Sequence, residues 1–118
     1  MGTYKDLTTW QKAYTFTLSV YEITRNYPKE ELFGLVSQMR RAASSIPVNI
    51  AEGSMRRSKK EFRRFIRIAQ GSMAEMEVWI KLSFDLKYIN KESFNQISFE
   101  CDEVGKLLEG LARSLKQD

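Results

Sequence analysis

The densest chemistry in this chain is a run of cations, Arg56, Arg57, Lys59, Lys60, Arg63, Arg64 and Arg67. Guanidinium and ammonium groups at such spacing can span successive phosphates, since each is a charged donor suited to an anionic oxygen. On a helix turning about 100° per residue, Lys60, Arg63, Arg64 and Arg67 share roughly 100° of arc, centred opposite Phe62. Few acids interrupt this face, whereas a surface that only needs solvation mixes signs. The pattern predicts a face that binds RNA or DNA through phosphates. No base-reading motif accompanies it, so sequence selectivity is not expected. Trp10, Tyr14, Phe62, Phe65 and Trp79 lie at core spacings rather than among the cations, which argues against base stacking.

A second polar group consists of Arg41, Asn49, Glu52, Ser72 and Glu75, with Arg40 nearby. Carboxylates supply acid and base catalysis only when their spacing and environment tune them. The structural reading is stronger: Pro47 frees carbonyls, Asn49 and Ser72 can bond backbone, and Glu52 or Glu75 can pair with Arg41. Histidine is absent and Cys101 is the one cysteine, which removes the commonest zinc ligand, the commonest general base and any disulfide within the chain. Cys101 lies on an apolar stripe and reads as a small buried hydrophobe. No catalytic residue, metal site or cofactor is expected, and the chain is read as a non-enzyme.

The elements that must position these groups are helical. The segments between the two prolines and six glycines show spacings of three and four. In the first helix Leu7, Trp10, Tyr14, Thr17 and Tyr21 form one stripe and Ala13, Phe16, Val20, Ile23 and Tyr27 an adjacent one. Pro28 closes it. The second opens near Lys29-Glu30-Glu31 and runs through Leu32, Leu35, Val36, Met39, Ala42, Ala43 and Ile46, until Pro47 kinks or breaks it. Ser58 and Glu61 form a capping box for the third, whose stripe is Phe62, Ile66, Ala69, Met73, Met76 and Ile80. The fourth covers roughly 92–115, with Phe94, Ile97, Cys101, Val104, Leu108, Leu111 and Leu115 inward. Short loops between four helices predict an all-α, antiparallel up-down-up-down bundle. At 118 residues, one domain over 1–118 can bury an adequate core.

Phe65, Ile68, Ser72, Trp79 and Leu86 make a further face of the third helix, roughly 80° to 100° from the Phe62 stripe. That width reads either as a broad core face or, because it exceeds what two bundle neighbours need, as a subunit interface. Gly71, a costly residue in mid-helix, suggests close approach of another helix. The net charge of +4 is unevenly spread. Residues 40–70 hold nine Lys or Arg against Glu52 and Glu61, while residues 1–39 are balanced and 71–118 are acidic. The start Met1-Gly2-Thr3-Tyr4-Lys5-Asp6 has neither a signal-peptide core nor a myristoylation pattern, and no long apolar run occurs, so a cytoplasmic protein without a membrane span is expected.

At Arg40-Arg41-Ala42-Ala43-Ser44-Ser45-Ile46-Pro47-Val48-Asn49-Ile50-Ala51-Glu52-Gly53, then Ser58-Lys59-Lys60-Glu61-Phe62 and Ala69-Gln70-Gly71-Ser72, the chain resembles the ribosomal RNA intervening-sequence protein family. Tyr4-Lys5-Asp6-Leu7 with Trp10, Phe33-Gly34-Leu35-Val36-Ser37-Gln38 and Leu86-Lys87-Tyr88-Ile89 extend the likeness along nearly the whole chain. Met73-Ala74-Glu75-Met76-Glu77 departs from a segment that is richer in leucine in many relatives. The resemblance implies a small bacterial four-helix bundle, assembled as a ring-like homopentamer and without enzymatic activity. It also implies kinship with accessory proteins of diversity-generating retroelements, basic barrels that associate with nucleic acid and a reverse transcriptase. An adaptor that docks such a partner protein is therefore the alternative to direct nucleic-acid binding.

Overall fold

A computed structural model describes residues 2–116; Met1, Gln117 and Asp118, the ends of the expected domain, lie outside the described residues. Four helices carry the fold: α1 (Thr8–Thr24), α2 (Ser37–Ser54), α3 (Lys59–Asp85) and α4 (Lys91–Ser114). Short 3-10 turns at Tyr4–Asp6 and Lys29–Glu31 and a π turn at Leu32–Val36 complete it. The packed pairs are α1 with α2, α2 with α3, α3 with α4, and α4 with α1. Cross-links give the directions: Thr17 meets Ala43 while Thr24 meets Arg40, Ser45 meets Ser72 while Met39 meets Ser83, and Arg63 meets Ala112 while Arg67 meets Glu109. Numbers rise in one helix as they fall in the next, so the bundle is antiparallel throughout.

The expected stripes supply the core. Phe16, Met39, Ile46, Ile66, Met76, Ile97 and Leu108 are fully buried along its length. Burial of side chains this size contributes about 1.5–3 kcal/mol each before chain entropy is set against it. Of the two stripes on α1, Ala13, Phe16 and Val20 face inward, whereas Tyr14 and Tyr21 remain 47% and 40% exposed. The further face of α3 divides likewise: Phe65 is buried, Ser72 and Trp79 are half-buried, and Ile68 and Leu86 are exposed.

Pro47 does not break α2, which is continuous from Ser37 to Ser54. A proline there deprives the Ala43 carbonyl of its amide partner. The Thr17 hydroxyl of α1 lies 3.1 Å from that carbonyl and 2.9 Å from Ala13 O, and can donate to either. A neighbouring helix thus replaces the donor that proline lacks. The irregular stretch lies earlier, at Gly34 (φ −112°, ψ −107°), where the Glu31 carboxylate accepts from Leu35 N at 3.3 Å. A Cβ on Gly34 would sit 3.2 Å from that carboxylate. Hence the second helix, read from sequence as opening at Lys29, becomes regular only at Ser37.

Gly53 sets how closely α2 and α3 cross. A Cβ there would lie 2.7 Å from Phe65 Cβ and 2.9 Å from Phe62 Cδ1. Gly71 behaves oppositely: nothing lies within 4 Å of a Cβ built on it, so no helix of the bundle approaches it.

Candidate nucleic-acid interface

The basic face starts where α2 ends. Met55 closes α2, Arg56 and Arg57 lie in the short connection, and the Ser58 hydroxyl starts α3 by accepting from Glu61 N at 3.2 Å. The return half of the expected capping box is absent, because the Glu61 carboxylate turns to Arg64 at 3.3 Å. A complete box forms instead at the first turn, where Thr3 and Asp6 exchange bonds.

The seven cations fall into two groups. Arg57, Lys59 and Lys60 are exposed and enter no salt bridge among the described residues. The other four are held by the protein. Arg63 donates from Nε to Ala112 O at 3.0 Å, placing a cation against the carbonyl-rich end of α4. The guanidinium groups of Arg56 and Arg64 lie 5.0 and 4.8 Å from the centre of the Phe65 ring, a cation–π arrangement on a nearly buried aromatic. Arg67 donates to Gln70 Oε1 at 2.6 Å and to Glu109 Oε1 at 3.1 Å.

Glu109 is the junction of this end. Its Oε1 also accepts from Gln70 at 2.9 Å, and its Oε2 from Arg113 at 3.2 Å. The hydrogen bonds from Gln70, Arg67 and Arg113 hold its carboxyl below the ordinary value of 4.5. Lys60, Arg63, Arg64 and Arg67, with Lys116 opposite, surround an open hollow of about 550 Å³ into which, among the described residues, only Glu61 brings a negative charge. The sequence did not nominate Glu109, Arg113 or Lys116. Glu109 and Arg113 stand at the i, i+4 spacing of a helical ion pair, a readable signal, but their nearness to Arg67 needs the tertiary fold.

The second polar group is only partly gathered. Asn49 Nδ2 donates to Ser45 O at 2.7 Å, and the Ser45 and Ser72 hydroxyls are hydrogen-bonded across the α2–α3 contact. Arg41, Glu52 and Glu75 are exposed, and no salt bridge joins Arg41 to either acid among the described residues. Arg40 seals the end of α1, donating to Thr24 Oγ1 at 3.0 Å and to Tyr21 O at 3.4 Å. Cys101 is buried, and desolvation, aided by Glu77 and Asp102, pushes its thiol up to about 12, which suppresses thiolate chemistry.

A concavity opens between α1 and α4, lined in part by Ser19, Glu22, Glu92, Gln96 and Glu100. There Glu100 accepts from Ser19 at 2.7 Å and from Gln96 at 3.2 Å, tying the two helices together. Among the described residues no cluster of three His, Cys, Asp or Glu side chains is placed to hold a metal, and no helix is long and apolar enough to cross a membrane.

Charge is concentrated at the end of the bundle where α3 begins. The opposite end mixes Arg25, Lys29 and Lys87 with Glu22, Glu30, Glu31 and Asp85.

A solved structure of a protein with unknown function from the S23 ribosomal protein family of Bacteroides thetaiotaomicron VPI-5482 has the same fold, with a TM-score of 0.84 and 26% identity over 92% of this chain and 98% of that one. No curated protein matches significantly. The family model described as 23S rRNA-intervening sequence protein matches residues 5–110, from the first turn to the last turns of α4, and the chain belongs to that family.

Proposed function

We propose that the protein is a non-enzymatic, cytoplasmic oligomer that binds RNA or DNA phosphates through the start of α3. The observation that carries this reading is the cationic hollow of Lys60, Arg63, Arg64, Arg67 and Lys116, with Arg57 and Lys59 exposed on the same stretch. Exposed cations supply electrostatic capture, while Arg63, bonded to the end of α4, gives the face a defined shape. The family's name supports an RNA setting.

Assembly is supported by large exposed apolar residues. Tyr14, Leu18 and Tyr21 form a stripe on α1, and Ile68, Val78, Leu82 and Leu86 a stripe on α3 that contains the open Gly71. A ring of five copies, as the family likeness implies, would multiply the basic face and strengthen binding through avidity. Fluorescence titration against a structured RNA at two salt concentrations tests the reading. Affinity that falls steeply with salt is expected; affinity no better than that of a neutral control protein, without salt dependence, rejects it. Native mass measurement is expected to give five subunits.

The same apolar stripes favour a second reading, an adaptor that docks a partner protein such as a reverse transcriptase. An adaptor retains one protein partner after nuclease treatment, whereas a nucleic-acid binder releases whatever the nucleic acid had bridged.

A further inference from the structure

Among the described residues Glu109 is the one carboxylate that crosses from α4 to the basic face, and it has three donors: Arg67, Gln70 and Arg113. Glu61 differs in kind, because its pair with Arg64 is local to α3 and belongs to the face itself. The Arg67–Glu109 pair is open to solvent, with side chains 42% and 41% exposed, so the guanidinium can exchange partners without opening the core. A phosphodiester in the hollow presents the same kind of ligand to Arg67, an anionic oxygen pair.

We propose that Glu109 is an internal competitor for phosphate: it occupies Arg67 until a phosphodiester displaces it, and so sets how tightly the basic face holds nucleic acid. This rests on the nucleic-acid reading above and assigns the control of that site to one side chain. The displacement is an exchange of ionic partners in which Arg67 turns from the α4 carboxylate towards the hollow. Gln70, which donates to Glu109 and accepts from Arg67, remains to support both groups.

The test is Glu109→Gln in the full chain, titrated with a short duplex RNA across a series of salt concentrations. Binding is expected to tighten by roughly fivefold at low salt, a gain that shrinks once screening shortens to about 10 Å near 0.1 M. The slope of log affinity against log salt should steepen as well, because loss of the carboxylate leaves the face with more net positive charge against the duplex and its counterions. The gain should disappear in the Arg67→Gln background, since the carboxylate acts through that guanidinium. Glu109→Ala, with its melt recorded beside the wild type, separates this from a loss of folding. Unchanged affinity and slope in both folded variants overturn the proposal, as does a gain that survives Arg67→Gln. A wild-type chain that fails to bind overturns the nucleic-acid reading itself, and this inference with it.

Discussion

Replacing Thr17 by valine tests whether α1 repairs the hydrogen bond that Pro47 removes from α2. Valine keeps the branched shape and removes the donor that lies 3.1 Å from Ala43 O. Thr17 and Ala43 are both buried, so water cannot easily take over. An orphaned buried carbonyl costs about 1–3 kcal/mol, and the apolar gain of the new methyl offsets part of it, leaving a net loss of about 1–1.5 kcal/mol. Unfolding entropy near 2.1 cal/mol/K per residue converts this to a fall in Tm of roughly 4–6 °C for a chain of this length. The discriminating step is to repeat the substitution in Pro47→Ala, where an amide at position 47 can serve Ala43 from within α2. There the loss should drop below about 0.5 kcal/mol, giving a coupling energy near 1 kcal/mol. Urea unfolding at one fixed protein concentration is the assay, because assembly makes midpoints concentration-dependent. Equal losses in both backgrounds would refute the reasoning and assign the Thr17 hydroxyl to Ala13 alone.

Gly53→Ala brings a Cβ within 2.7 Å of Phe65 Cβ, so the α2–α3 crossing must widen. Overpacking of about 1–3 kcal/mol should exceed the helix-propensity gain of about 1 kcal/mol, and thermal melts should show a lower Tm. Gly71→Ala meets nothing within 4 Å in a single copy and should raise Tm instead when the chain is diluted to the monomer; the opposite ordering of the two melts there contradicts the packing described. Cys101 should resist a thiol reagent at pH 8 in the folded chain and react in urea, since a shift from 9.0 to about 12 leaves roughly a thousandfold less thiolate. Below pH 9 the thiol is protonated in both states. As pH rises from 9 towards 12 the unfolded chain loses its proton first, so stability falls, and Cys101→Ala should remove that part of the slope.

The bundle was legible because apolar spacing is local: the core stripes of α3 and α4 follow from Phe62, Ile66 and Met73, and from Ile97, Val104 and Leu108. Pro47 was less so, because the compensating hydroxyl comes from another helix and no local rule contains it. Ser58 marked the start of α3 correctly, yet Glu61 had two available partners and took the nearby Arg64. The basic face could be seen as charge, but not as two groups. Whether a cation is held or free depends on what lies across from it, and Ala112 and Glu109 come beside Arg63 and Arg67 only when α4 folds back antiparallel.

The uneven ends of the bundle give this molecule a handle for electric fields. Its axis measures 46 Å against 24 and 23 Å across, and with the cation run of the α3 start at one end and mixed signs at the other, net charge is skewed along that axis. A field acting on such a body turns it as well as pulling it. Near any polyanionic surface a single copy therefore rotates its α3 start forward before contact, and a larger fraction of encounters begins in one orientation. Added salt slows this alignment first, while the hydrogen bonds that shape the bundle stay as they are.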